Sequence, residues 1–431
     1  MNQYANMIRS LKSPEGMQRL MHLYGNRDGM LVEQTARYTG ILKRHEELFH
    51  ETEQEVMLIS APGRTEIGGN HTDHNSGRVL AAAVNLDTLS EVSARNDMEV
   101  NVYSDGYAPL KLDLNNLEVV ESEKGTTAAL IRGVAARMKE LGYKIGGFNA
   151  AVTSSVASGS GLSSSAAFEV MVCAILDQLY NGFSIDFITR AKISQYAENV
   201  FFGKPCGLMD QTACAVGGFV AIDFADPAAP VIEKLDLDIG SAGYCLCIVN
   251  TGGNHSDLNE DYASVPAEMK SVAAHFGKSV LRGRSYADVL AELPALRESV
   301  GDRALMRALH FIEENDRVAA QKKAIENGDM EAFLAGVLAS GDSSFKQLQN
   351  VYTVKNVGEQ GLSLALALCK HLLDGKGGAW RVHGGGFAGT VQAFVPLSLR
   401  DEFKRVMDGA FGENACSVLN IRPEGAIKLD I

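Results

Sequence analysis

The sequence predicts a two-domain protein of α+β (mixed α/β) class, and three observations lead there. The chain has 431 residues, more than a single hydrophobic core usually serves, so two domains sharing a cleft are expected. Stretches with strand and helix periodicity alternate in both halves. Near residue 218 long apolar helices give way to short strands followed by several helices, which sets the domains at 1–218 and 219–431.

The elements follow in order. Residues 1 to about 50 read as helical and polar, with apolar residues at helical spacing in "EQTARYTGILKRHEELFH". "EVMLISAP" is a strand, and "VLAAAVNLDTLSEVSAR" and "DMEVNVYS" are further strands around an Asn96-Asp97 turn. "TAALIRGVAARMKELGY" is an amphipathic helix that stops near Gly142. A strand "GFNAAVTSSV" leads through "ASGSGLSSSAA" into the apolar helix "FEVMVCAILDQLY", and "ITRAKISQYAENVFFG" is another helix. In the second half, the strands "FVAIDF" and "YCLCIVN" precede helices to about residue 375, then "AWRVH" and "TVQAFV" flank "GGGFAG".

Composition narrows the function classes. Hydrophobic residues make up 46% and charged residues 22%, ordinary for a globular protein with a large core. A net charge of −13 with no basic patch argues against a nucleic-acid partner, because phosphate neutralisation needs clustered cations. The same balance suits a protein that holds a cation next to an anionic small molecule. The seven scattered cysteines read as free thiols in a reducing compartment. Cys245 and Cys247 share a strand face but lack the second pair a zinc ribbon needs. With no apolar signal core and no run of 18 apolar residues, the expectation is a cytoplasmic protein without a membrane partner, a monomer or weak homo-oligomer.

Four stretches carry chemistry. In "ASGSGLSSSAA", small residues from Ala157 to Ser160 allow close backbone approach, and a helix begins at about Leu162. Free N–H groups and the dipole at a helix N-terminus form an anion site. A serine-rich turn with a good cap is the alternative, but small residues, a preceding strand and a following helix together favour phosphate binding. It is not a Walker A loop, since no Gly-Lys-Ser/Thr follows. In "VHGGGFAGTVQAFV", Gly384, Gly386 and Gly389 fit G-x-G-x-x-G, yet strand-like residues follow rather than a helix. A ligand-approaching loop and a plain hairpin are equally good readings there. Glu198 near a helix end and Asp210 in a Gly/Pro-bounded turn could serve as a Mg²⁺ ligand and a base. Taken alone, such acids more often face solvent.

The fourth stretch, "APGRTEIGGNHTDHNSGRVL", crowds Asn70, His71, Asp73, His74 and Asn75 together. Tetrahedral zinc wants four ligands, but no cysteine lies nearby, and Asn and Thr are poor zinc ligands. Mixed donors and acceptors favour a polyol over a metal. His45 and His50 are five positions apart and fall on different helix faces, so a zinc-protease helix is rejected.

Together these stretches resemble the GHMP kinase family, and within it most closely the galactokinases. Their signature, roughly G-R-x-N-L-I-G-E-H-x-D-Y-N-x-G-x-V-L, is matched at Gly63, Arg64, Gly69, His71, Asp73, Asn75, Gly77, Val79 and Leu80. The phosphate motif G-G-G-L-S-S-S-A runs from Gly159 to Ala166 with Ser160 for one Gly. P-C-G-x-M-D-Q is complete at Pro205 to Gln211, with Glu198 at the family's spacing before it. The third motif lies at Gly384 to Gly389 with Ala388 for a Gly, and "NTGGNHSDLNEDYASV" supplies Asn250, His255 and Tyr262. The similarity spans about residues 30 to 425.

The resemblance implies an N-terminal domain with the phosphate loop, a ferredoxin-like C-terminal domain, and ligands in the cleft between them. It implies ATP-dependent transfer of a phosphoryl group to the anomeric hydroxyl of a sugar. Asp210 would be the base or charge partner of that hydroxyl, with Arg64 beside it. The loop of Gly159, Ser160, Gly161, Leu162, Ser163, Ser164 and Ser165 would bind the nucleotide, with Mg²⁺ held by Ser165 and Glu198. Asn70, His71, Asp73, Tyr262 and the Gly207 backbone would meet the sugar.

The sequence departs from the family pattern at a few positions. Asn70 stands where galactokinases carry a Glu expected to reach the sugar's C6 hydroxyl, and His74 replaces the usual Tyr. Thr127 takes about the place of an adenine-stacking aromatic, and Gly341 that of a common His. Galactose is the expected sugar. One altered at C6 or C2 (galacturonate, arabinose, N-acetylgalactosamine) is the alternative. A non-catalytic galactose and ATP sensor is disfavoured because Ser165-Ala166, Asp210 and Arg64 are all intact.

Overall fold

Twelve strands and the helices between them follow the hydrophobic pattern, in a computed structural model that describes residues 2–50, 54–157, 161–253 and 258–430. The chain divides into two units. Met1–Arg64, Ala83–Gly218 and Arg422–Ile431 form the first, and Thr65–Ala82 with Phe219–Ile421 form the second. A single boundary near 218 does not describe this division, because residues 65–82 and 422–431 are exchanged. Pairing remote in sequence is the physical reason: Arg78–Ala82 runs antiparallel to Phe219–Asp223, and Leu58–Ser60 to Ile427–Leu429.

The strands are β1 (Val56–Gly68), β2 (Arg78–Ala94), β3 (Glu99–Ser104), β4 (Leu110–Asp113), β5 (Phe148–Ser154), β6 (Phe219–Asp223), β7 (Val231–Leu235), β8 (Tyr244–Asn250), β9 (Ala379–His383), β10 (Thr390–Pro396), β11 (Cys416–Leu419) and β12 (Ile427–Leu429). In the first unit the sheet order is β12-β1-β2-β5-β3-β4, with β3 parallel to β5 and β2 antiparallel to it. The helix Ser164–Asn181 is apolar nearly all round and accordingly buried from Ala166 to Asp177, Phe168 excepted. The expected N-terminal helical region is three helices, Gln3–Leu11, Pro14–Tyr24 and Met30–Phe49. The side chains of Asn2 and Ser13 cap the first two. Tyr4, Leu20, Tyr24, Tyr38 and Leu42 from these helices pack with Val56, Leu58 and Leu89.

One buried carboxylate ties this layer to the sheet. Asp87, fully buried on β2, accepts from Arg37 at 2.5 Å, Tyr24 at 2.6 Å, Arg422 at 3.1 Å, and Ser60. Burial alone pushes its pKa up, but the two guanidinium groups outweigh that and hold it at about 2. A carboxyl depressed in the folded state stabilises fully above its unfolded pKa of about 4, and that contribution is lost as pH falls towards 2. Asp87→Asn leaves two buried cations short of a partner and is expected to cost about 3 kcal/mol or more. Denaturant unfolding at pH 7 checks this, and the variant's stability should fall less steeply between pH 4 and 2 than the parent's.

In the second unit, β6 pairs with Arg78–Ala82 and with β7. A separate antiparallel sheet has the order β11-β8-β10-β9. With helices Gly361–Leu373 and Arg400–Phe411, its chain order is β-α-β-β-α-β, the ferredoxin-like pattern. Cys245, Cys247 and Val249 of β8 lie opposite Val395, Ala393 and Val391 of β10 and share a buried core. These cysteines are therefore packing residues, and all seven thiols are free. No helix among the described residues is long and apolar enough to cross a membrane.

Candidate active site

In the first unit the chemistry gathers where β1 meets the loop before the helix Ser164–Asn181. The amide of Arg64 donates to the carbonyl of Leu162 at 3.1 Å. A Cβ at Gly63 would stand 2.8 Å from that carbonyl oxygen, so the glycine of the signature permits this approach. Gly161 and Ser163 adopt left-handed backbone conformations as the chain turns into the helix. That helix starts at Ser164, slightly later than the sequence suggested. Its first N–H groups have no intrahelical partner and carry the positive end of the dipole. Gly159 and Ser160 lie outside the described residues.

Arg64 grips Asp210 with both arms of its guanidinium: Nε to Oδ1 and Nη2 to Oδ2, each at 2.7 Å. Its third nitrogen donates to the Gly161 carbonyl at 2.6 Å, which anchors the loop to the same group. Ser163 donates its hydroxyl to Asp210 as well. Asp210 sits not in a turn but in the first turn of a helix, Met209–Val216, with 27% of its side chain exposed. Burial pushes its pKa up, yet the charge and hydrogen bonds of Arg64, helped by Ser163, bring it below the ordinary carboxylate value. The arrangement provides an ionised carboxylate with an open edge beside an anion-attracting helix end.

Ser165 and Glu198 also come together. The Ser165 hydroxyl donates to Glu198 Oε1 at 3.0 Å, and Lys204 reaches the same oxygen at 3.3 Å. Gln211 donates to Glu198 Oε2 at 2.7 Å and to Glu169 Oε2 at 3.2 Å. Glu169 was missed in the sequence, although it lies four residues after Ser165 and so on the same helix face. It is fully buried, and burial, with the Glu198 carboxylate beside it, pushes its pKa well above the ordinary carboxylate value. Among the described residues, no three His, Cys, Asp or Glu side chains form a metal cage. Gly207 is exposed, in the irregular stretch just before the Asp210 helix.

The second unit holds the other predicted residues. His71, with φ of +56°, points Nε2 at the Gly385 carbonyl at 2.9 Å. A carbonyl only accepts, so Nε2 carries the proton. Burial holds the ring's pKa well below the ordinary histidine value, leaving Nδ1 a bare acceptor. That atom has no partner among the described residues. Asp73 opens a short 3₁₀ turn with 28% of its side chain exposed, and its Oδ1 lies 3.4 Å from His74 Nε2. Tyr262 donates to the Gly386 carbonyl at 2.9 Å. Gly384 to Gly389 joins antiparallel β9 and β10 and does not open a helix, so no dinucleotide fold is formed. His255 lies outside the described residues.

Asn70 is placed differently from expectation. Its side chain is wholly buried, and both ends of its amide are engaged by protein groups, with Glu66 and Gly384 on one side and Asn350 and Ser344 on the other. Of these partners, Asn350 and Glu66 carried no motif signal as site residues. Glu66 lies only four positions from Asn70, whereas Asn350 reaches it across 280 positions.

Residues 43–94 match the galactokinase galactose-binding signature, and residues 129–218 match the GHMP kinases N terminal domain. A galactokinase of Streptomyces coelicolor is 30% identical over 355 residues, covering 82% of this chain and 88% of that one. One of Lactobacillus helveticus is 31% identical over 373 residues, covering 85% and 92%. Among solved structures, Lactococcus lactis galactokinase complexed with galactose superposes with a TM-score of 0.74 at 24% identity, over 90% of this chain and 98% of that one. A mevalonate kinase superposes with a TM-score of 0.59 at 14% identity, covering 85% and 100%.

Proposed function

The chain belongs to the galactokinases, within the GHMP kinases, and from that premise we propose that it transfers the γ-phosphoryl group of ATP to the C1 hydroxyl of galactose, giving galactose 1-phosphate. The observation that carries the reading is the Arg64–Asp210 fork beside the N-terminus of the Ser164–Asn181 helix. Phosphoryl transfer asks little covalent chemistry of a protein and much positioning and charge stabilisation. The helix N-terminus and the serines from Ser163 to Ser165 suit the nucleotide phosphates.

Ser165 and Glu198 present two hard oxygens 3.0 Å apart, a donor set that suits Mg²⁺, which binds through one or two carboxylates and completes its shell with phosphate and water oxygens. Bound there, the ion would neutralise charge on the β- and γ-phosphates. Gln211 holds the far carboxylate oxygen of Glu198 and fixes its orientation. Glu198→Gln is expected to raise the Mg²⁺ concentration for half-maximal rate roughly tenfold or more. A titration of rate against Mg²⁺ at saturating ATP and sugar checks this, and an unchanged midpoint would remove Glu198 from the ion.

Asp210, ionised and held by Arg64, orients the C1 hydroxyl and stabilises the charge that builds as it attacks. Its depressed pKa makes it a weak base, so orientation and electrostatics outweigh full proton abstraction. His71 through its bare Nδ1, Asp73, Tyr262 and the Gly207 backbone supply the hydroxyl partners of the sugar. The free thiols suit the reducing cytoplasm. The direct test is a panel of galactose, galacturonate, N-acetylgalactosamine, arabinose and glucose with Mg-ATP, read as ADP release. Galactose should give the highest kcat/KM. A higher value for galacturonate or arabinose would move the assignment to that sugar, and no release with any sugar would overturn the kinase reading.

A further inference from the structure

Asn70 lies in the sugar-signature loop, yet its amide has nothing left to offer a sugar. Nδ2 donates to Glu66 Oε1 at 3.0 Å and to the Gly384 carbonyl at 2.7 Å. Oδ1 accepts from Asn350 Nδ2 at 2.8 Å and from the Ser344 hydroxyl at 3.2 Å. A primary amide has two donor hydrogens and two acceptor lone pairs, so all four positions are filled. The orientation is forced, because a carboxylate and a carbonyl accept only and require the nitrogen on that side.

Asn350 continues the chain of contacts into the glycine loop. Besides Asn70, its Nδ2 donates to the Gly385 carbonyl at 3.1 Å, and its own carbonyl accepts from the Phe387 amide at 2.5 Å. A Cβ at Gly386 would come 2.0 Å from that carbonyl oxygen, so the loop can lie here only with glycine at that position. Gly385 in turn receives the His71 ring and Gly386 the Tyr262 hydroxyl. Two asparagines thus hold the carbonyls of Gly384 and Gly385 and the amide of Phe387, and the carbonyls of Gly385 and Gly386 hold the two rings.

We infer that Asn70 and Asn350 are a pair of positioning residues that fix the Gly384–Gly386 loop and through it aim His71 and Tyr262, and that Asn70 does not read the C6 hydroxyl of the sugar. This rests on the galactokinase reading, which wild-type turnover of galactose tests separately. Two near-isosteric variants probe the pair. Asn70→Asp sets a carboxylate against Glu66 and the Gly384 carbonyl. Asn350→Asp sets one against Asn70 Oδ1 and the Gly385 carbonyl.

In each variant the KM for galactose should rise about tenfold or more, with ATP KM and kcat within about twofold of the parent. Ki values of D-fucose and L-arabinose, competing with galactose and lacking the C6 hydroxyl, should rise by the same factor. Thermal unfolding of both variants separates this from loss of fold, and Asn350→Asp provides the answer should Asn70→Asp fail to fold. A rise confined to galactose, with fucose and arabinose unaffected, would show that Asn70 reads C6 and overturn the inference. Unchanged KM and Ki in a folded Asn350→Asp would overturn it equally.

Discussion

Replacing Asp210 with alanine is expected to lower kcat for galactose phosphorylation by roughly 10³-fold or more while the fold is kept. The side chain is part-exposed in the first turn of its helix, so its loss leaves no deep cavity. What disappears is the one ionised oxygen pair that Arg64 and Ser163 jointly orient. Asp210→Asn separates charge from shape, since the amide fills the same space without the negative charge and sets donors against the guanidinium. If charge placement is the source of catalysis, the asparagine variant should be nearly as slow as the alanine one. Rates of ADP release, with circular dichroism as the fold control, check both, and near-normal turnover in either would remove Asp210 from the chemistry.

Arg64→Ala should lower kcat by about 10²-fold at neutral pH and also change its pH dependence. In the parent, Arg64 counters the burial that pushes the Asp210 pKa up. Without the guanidinium the balance reverses and the carboxyl protonates at a higher pH. The acidic limb of the kcat profile should therefore move to higher pH, with the deficit largest in acid and smaller in alkali. Arg64→Lys keeps a charge but loses the fork and the contact to Gly161, so it should fall between the two. A profile that keeps its acidic limb in place would show that Arg64 does not set the ionisation of Asp210.

The candidate site is legible in the sequence wherever its residues sit in a contiguous motif. Arg64, Ser165, Glu198 and Asp210 were read from short ordered stretches, and the chain brings Arg64 to Asp210 and Ser165 to Glu198. The helix Met209–Val216 that carries Asp210 reads as a turn in the sequence because it is short and Leu208 supplies no capping side chain as a start signal. The burial of Asn70 could not be read locally, since its partners Ser344, Asn350 and Gly384 lie 274, 280 and 314 positions away. The same holds for the exchanged segments of the two units, which depend on strand pairing between distant stretches. Glu169 was within reach by helical spacing from Ser165, but a buried glutamate in an apolar run looks like an exposed one until its neighbours are known.

Phosphate is expected to end on C1 of galactose. Purified protein with Mg-ATP and galactose, followed by ³¹P and ¹H NMR, tests it most directly. A new phosphomonoester resonance coupled to the anomeric proton of the sugar, growing in step with ADP, is expected. Phosphate coupled to the C6 protons, or ADP and free phosphate without any sugar ester, would contradict it.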